Sequence, residues 1–335
     1  MVQKGLSSEL RTEVNSDKVN NFIAAGVACY AFALLDEIGL LDKILNNNEI
    51  SAETFYSYPN PLVISAASQT LVANGILIFE NGSFKLTFFG TALAKQRGSI
   101  GLIYNGYSRA LANQLSIVKD QPSQRWDFID QDSISHAAAH MSRDFINKTL
   151  IAELESCSIK GVICDLGCGN AATLLYVCRT LGLIGLGFDI SESSIKTAKA
   201  QLKPDDKLTL VTQDITQISN IYPDVEVLIQ AFVMHDLSNK DCRKTFESLR
   251  KSFPNVKMFL YIDAVSPGVN ETAQLPGFDY VHSLFSIKPR TLAETRNIIE
   301  GSGFSIENQQ SIEGLTNCYI WTLAPSNVAI KDNNL

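Results

Sequence analysis

The sequence predicts an α/β chain in which a helical amino-terminal domain precedes a doubly wound, mostly parallel sheet. Three observations carry this. From residue 161 onward, short apolar strand-length runs alternate with helical ones: GVICDLG, ATLLYVCRTL, IGLGFDI, SIKTAKAQL, LTLVTQDI, VEVLIQAFV, KDCRKTFESLRKSF and VKMFLYIDA. Continuous apolar strands separated by helices belong to a parallel sheet covered on both faces. The first strand runs directly into a glycine-rich turn and a helix, CDLGCGNAATLL, over residues 164–175. Residues 18–100 instead read as helices that end in a hairpin.

Taken in order, residues 1–17 are polar and of mixed charge, without the apolar core of a secretory signal. The run FIAAGVACYAFALL, residues 22–35, is followed at once by Asp36 and Glu37. It falls short of the roughly 20 residues that span a bilayer, so a buried helix is expected. Ser51, with Glu53 and Thr54 behind it, can cap a short helix. PLVISAASQTLVANG has helical apolar spacing that stops at Asn74-Gly75, and ILIFENGSFKLT reads as a hairpin around Asn81-Gly82. Helix, helix and hairpin together describe a winged helix. Its would-be recognition helix contains no lysine or arginine to meet phosphates, so packing against a second subunit is the expected use. Residues 101–155 read as further helices, including SHAAAHMSRDFINKTLIAELE, residues 156–325 as the sheet domain, and residues 326–335 as a polar tail.

Composition narrows the partners. With 45% hydrophobic and 19% charged residues the chain can fill two cores. A net charge of −7 and a pI near 5.2, with no basic block of five or more, argue against nucleic acid as a partner. Seven cysteines without a CxxC pair suit reduced thiols in a cytoplasm. Cys164 and Cys168 flank the glycine turn, where small buried side chains explain them better than a metal site does.

The turn lies at the sheet edge where doubly wound folds bind ligands, and Gly167 and Gly169 are expected to leave room for a ligand against the backbone. The dinucleotide fingerprint GxGxxG is absent, since Ala172 stands at the third glycine. Acids also end the next two strands, Asp189 in GLGFDIS and Asp214 in VTQDIT. A carboxylate after the second strand can accept both ribose hydroxyls, and Asp214 can meet an adenine amino group. The alternative is a cap on the next helix, through Asp189 or Ser191.

These residues resemble the S-adenosylmethionine-dependent methyltransferases with a Rossmann-like fold, whose DLGCGxG loop holds the methionine portion of the donor. Here Asn170-Ala171 replaces the usual xG. The resemblance implies S-adenosylmethionine as donor, with Asp165, Gly167 and Gly169 at its amino acid end, Asp189 at the ribose, Asp214 at the adenine, and Ile190 and Ile215 among the donor-binding residues.

Over most of its length the chain also resembles the plant-type small-molecule O-methyltransferases, homodimers with a winged-helix dimerisation domain. The segment FVMHDLSNKDCRKTFESLRKSFP is similar to that family's HDW(S/N)D…C…iL stretch. His235 then falls on the family's general base, with Asp236 beside it in the catalytic set; the plainer alternative is a histidine that caps a strand. His282, in LPGFDYVHSLFSIKPRT, is less expected there. Two histidines on adjacent loops, His235 and His282, resemble the 2-oxo acid C-methyltransferase branch, in which a metal on two histidines binds the oxo and carboxylate oxygens. Iron or zinc would suit such an open site. Against this stands an ordinary packing histidine.

His136 and His140 share a helix face four residues apart, without the glutamate of HExxH, and a structural role is expected. Met141 matches a methionine of the family that packs on the acceptor, and Arg125 and Arg143 are candidates for a substrate carboxylate. The expectation is a cytoplasmic homodimer without nucleic acid or membrane partners, acting on a small-molecule acceptor. C-methylation of a 2-oxo acid comes first and O-methylation of a phenolic or enolic hydroxyl second. A rival of another class is a regulator that kept the fold and lost the chemistry.

Overall fold

The computed structural model describes residues 16–119, 125–267 and 277–326. The chain divides into two compact units, Met1–Ile100 and Gly101–Leu335.

In the first unit a long helix, Ser16–Glu37, is followed by the helices Leu40–Asn47 and Pro61–Ala73 and a small sheet. The strands β1 (Ile50–Ser51), β2 (Leu77–Glu80) and β3 (Ser83–Leu86) are ordered β1-β3-β2 and antiparallel. The β2–β3 turn places Asn81 at φ 50° and Gly82 at φ 79°, the two positive dihedrals that an Asn-Gly hairpin turn supplies at least cost. Ser51 caps the short helix Ala52–Ser57 by accepting from Glu53 N, as its position in the sequence suggests.

The first helix differs from the expectation of a buried rod. Its 22 residues are long and apolar enough, by length and composition, to cross a membrane. Its second half is core: Phe32 and Leu35 are buried, and Asp36 is ion-paired at 3.2 Å with the buried Arg97, which also meets Asp42 at 2.6 Å. Its first half is not, with Phe22 83% and Ile23 62% exposed, and the exposed face runs on to Val27 and Tyr30, each more than half exposed.

The second unit holds a seven-stranded sheet. Its strands are β4 (Val162–Leu166), β5 (Ile184–Asp189), β6 (Leu208–Thr212), β7 (Val225–Ala231), β8 (Met258–Ala264), β9 (Phe304–Ser311) and β10 (Cys318–Pro325), in the order β6-β5-β4-β7-β8-β10-β9. β4 to β8 are parallel, while β10 runs antiparallel between β8 and β9. Alternate residues of each central strand feed two separate cores. Leu260 and Ile262 pack with Ile163, Leu174 and Ile229 on one face, and Phe259 and Tyr261 pack with Leu166, Phe246 and Trp321 on the other. Each such side chain contributes roughly 1.5–3 kcal/mol of burial. The order reverses between β4 and β7, the switch point at which open α/β sheets take ligands outside the carboxyl ends of their strands.

Candidate active site

The loop after β4 is folded by its own backbone. Gly167 N and Cys168 N both donate to Phe188 O of β5, at 2.7 and 2.9 Å, and Gly167 and Gly169 have φ of 82° and 52°. A side chain at Gly167 would collide with Val233, and one at Gly169 would crowd Ser135 Oγ at 3.2 Å. Positive φ and the protein's own side chains thus favour glycine at both positions. Ala171, where the family pattern has glycine, also sits at φ 59°, a conformation that costs an L residue about 1–2 kcal/mol.

Asp189 ends β5 with its carboxylate half committed: Oδ2 accepts from Gly169 N at 2.7 Å and Oδ1 from Ser191 N at 2.8 Å. Burial raises its pKa, and the two backbone N–H groups partly offset that. The helix-capping role falls to Ser191, which accepts from Ser194 N. Asp214 does cap its own turn. Its Oδ1 accepts from Thr216 N and Thr216 Oγ1, at 2.8 and 2.7 Å, and its Oδ2 accepts from Gln217 Nε2 at 3.1 Å. Ile190 is about half exposed and Ile215 is buried. Asp165 is 4% exposed, and burial first, then the charge of Asp189, raise its pKa to about 7. Burial likewise holds the Cys164 thiol well above its usual range, so both it and Cys168 are packing residues.

The helix that carries His136 and His140 is tied to the start of the helix after β5. Along Gln131–Met141, Ser135 Oγ lies 3.0 Å from Ser194 Oγ, and Asp132 Oδ1 accepts from Ser193 Oγ at 2.8 Å.

At the ends of β7 and β8 a second cluster forms. The single turn Met234–Asp236 carries His235, which is buried against Asp263 at the end of β8. Asp263 accepts four hydrogen bonds: from His235 N at 3.0 Å, from His235 Nδ1 at 2.5 Å, from Tyr261 Oη at 2.8 Å and from Ala264 N at 2.9 Å. Burial lowers the pKa of His235, but the charges of Asp263 and Asp236 outweigh it and the net direction is up.

His282, on the short helix Phe278–Ser283, is brought beside it with ring centroids 4.9 Å apart. Its Nδ1 is 2.7 Å from Phe278 O. Asp236 Oδ1 lies 3.7 Å from His235 Nε2 and 3.6 Å from His282 Nε2. The rings of Phe278, against both histidines, and of Tyr107, against His282, line this cluster. The turn is clamped by Arg290, 4% exposed, whose guanidinium donates to Met234 O, to Leu237 O at 2.7 Å and to Asn239 Oδ1 at 3.5 Å.

The other candidates fall elsewhere. His136 and His140 face each other, Nε2 to Nε2, at 3.0 Å. Met141 is 1% exposed and packs in the sheet core with Ile146 and Leu150. Arg143 is half exposed and chelates its neighbour Asp144 at 2.8 and 3.0 Å. The side chain of Arg125 lies outside the described residues. Asp263 and Arg290 were not singled out from sequence. A lone acid inside VKMFLYIDA is the one signal that could have found the first.

A methyltransferase domain model matches residues 163–253, the stretch from β4 to the end of the helix that follows the His235 turn. The indolepyruvate C-methyltransferase of Streptomyces griseus is 28% identical over 324 residues, which cover 93% of this chain and 96% of that protein. The chain is an S-adenosylmethionine-dependent methyltransferase. Solved structures show the same fold. Human N-acetylserotonin methyltransferase in complex with S-adenosylmethionine superposes with a TM-score of 0.70 at 14% identity, over 94% of this chain and 99% of that one. The mitomycin 7-O-methyltransferase MmcR gives 0.63 at 14% identity, over 93% and 98%. The donor of this methyltransferase is S-adenosylmethionine and its acceptor a small molecule.

Proposed function

We propose that this methyltransferase methylates the carbon next to the oxo group of a 2-oxo acid, at a centre where His235 and His282 hold a divalent metal, iron or zinc. The observation that carries the reading is the state of the two imidazoles. The Nδ1 of His282 faces a backbone carbonyl and that of His235 a carboxylate, both acceptors, so each Nδ1 carries the proton. In the neutral form that a metal would select, each Nε2 then keeps a lone pair, and Asp236 Oδ1 lies within 3.7 Å of both. Metal-binding histidines are commonly fixed in this way by a partner on the other nitrogen. A relative of nearly full coverage named for methyl transfer to carbon supports the same choice.

A bound metal supplies Lewis acidity toward the oxo and carboxylate oxygens, which makes the neighbouring carbon easier to deprotonate. The chain's own groups do the rest. Asp263 and the Phe278 carbonyl orient the two imidazoles, and Phe278 and Tyr107 form an aromatic wall suited to a flat acceptor side chain. On the donor side, Asp165 faces the positively charged amino acid end beside Gly167 and Gly169. A carboxylate has about four lone-pair sites, and Asp189 commits two to backbone N–H groups, leaving two for the ribose hydroxyls beside Ile190. Asp214 commits three and keeps one for the adenine amino group beside Ile215. We assign the exposed first half of the helix Ser16–Glu37 to a homodimer interface, because its second half belongs to the core of its own unit and cannot enter a bilayer. Reduced cysteines and the net charge of −7 fit a cytoplasmic enzyme without a nucleic-acid partner.

The test is metal analysis of protein purified without chelator, joined to assays on a 2-oxo acid and on a phenol. Bound metal, with turnover of the 2-oxo acid lost on chelation and restored by metal, supports the reading. Full activity on a phenol after exhaustive chelation overturns it. That result would favour the second reading, O-methylation with His235 as general base, for which the His235–Asp263 pair is the supporting observation.

A further inference from the structure

We infer that Asp236 is the third protein ligand of this metal, completing a face of two imidazoles and one carboxylate. The inference rests on the reading of His235 and His282 as metal ligands and adds the group that sets the charge of the centre. Asp236 Oδ1 is 3.7 Å from one Nε2 and 3.6 Å from the other, and the three donor atoms all lie within 4.8 Å of one another. Those separations exceed a hydrogen bond. Ligand atoms about 2.1 Å from a common ion stand about 3–3.5 Å apart, so the two separations from Asp236 need a contraction of only a few tenths of an ångström.

Burial gives the face a direction. His235 and His282 are 8% and 4% exposed at their side chains, whereas the Asp236 side chain is 26% exposed with its Oδ1 buried, so that oxygen faces inward toward the two rings. The turn that carries His235 and Asp236 is held at both ends by Arg290, through Met234 O and Leu237 O, which fixes two consecutive ligands as one rigid piece.

Charge supplies the independent argument. Two neutral imidazoles leave a divalent ion at +2. Adding one carboxylate brings it to +1, the value that a 2-oxo acid anion neutralises. Two histidines and one carboxylate on one face leave the opposite positions open, the arrangement of non-haem iron sites that admit a substrate through two oxygens.

The experiment titrates full-length protein with Co²⁺ against a chelating dye and records the visible ligand-field spectrum, for wild type, Asp236→Asn and His282→Ala. Binding of S-adenosylhomocysteine is measured in each as a check on folding. Loss of a group that only supports a ligand costs about 10–100-fold in metal affinity, so loss of a ligand should exceed about 100-fold. We expect one ion per wild-type chain, a loss greater than that in Asp236→Asn and a changed Co²⁺ spectrum. Should the Asn variant fail to fold, Asp236→Glu is the substitute, expected to bind with a shifted spectrum; an unshifted one overturns the assignment. Asp236→Asn that binds within about 100-fold of wild type, with the same spectrum, overturns the third ligand and leaves the two-histidine reading standing. Wild-type protein that binds no ion overturns both.

Discussion

Replacing Asp165 with Asn should stabilise the ligand-free enzyme and weaken its hold on the methyl donor. The carboxyl is 4% exposed, and burial, with the charge of Asp189 behind it, raises its pKa from 3.8 to about 7. A shift of about 3 units corresponds to about 4 kcal/mol. Because the folded pKa lies above the unfolded one, the unfolded chain ionises first as pH rises. The penalty is absent below about pH 4, grows through the interval and is complete above about pH 7. Asn has the same shape and no charge, so its advantage over wild type should widen by about 2.5 kcal/mol between pH 5 and pH 8. Donor affinity should move the other way, since S-adenosylmethionine brings an ammonium and a sulfonium that favour the ionised carboxylate. Wild-type affinity should rise with pH through about 7 and then level, and that dependence should be missing in the variant. Urea denaturation at the two pH values and calorimetric titration of the donor measure both halves. A stability difference that does not change with pH, or a variant that binds the donor as wild type does, refutes the reasoning.

Three further perturbations test other parts of the site. Gly167→Ala should cost about 2–5 kcal/mol, from a φ of 82° and from the collision with Val233, and adding Val233→Ala should return the steric share; calorimetric melting that finds the single variant as stable as wild type counts against this packing. Asp263→Asn removes the negative charge and one of the two acceptor oxygens that hold His235, and should lower kcat by about 10²–10⁴-fold while leaving donor affinity nearly unchanged; wild-type kcat would show the pair to be ornamental. Phe22→Asp with Ile23→Asp should yield monomers in light scattering, and a persisting dimer would move the interface away from the exposed half of the first helix.

The alternation of strands and helices was legible because each central parallel strand, buried on both faces, is a continuous apolar run. β9 was not, since FSIENQQS is an edge strand that is largely polar and half exposed. The chemistry-bearing residues His235 and His282 stood out by type and by motif, but their approach to 4.9 Å is a tertiary fact that no local pattern encodes. Arg290 in SIKPRT carries no local sign that it will be buried and bonded to two carbonyls of a turn far back in the chain.

The glycine at position 167 shows where the boundary falls. The sequence shows that a side chain is unwelcome there and is silent on what it would strike. The structure answers Val233, which directly precedes the turn bearing His235 and Asp236. Gln230, with its amide oxygen turned toward them, accepts from Phe232 N at 3.2 Å and Val233 N at 2.7 Å and so fixes the backbone there. The loop after β4 and the turn that carries His235 are therefore packed on each other directly, with no room for a methyl group at position 167.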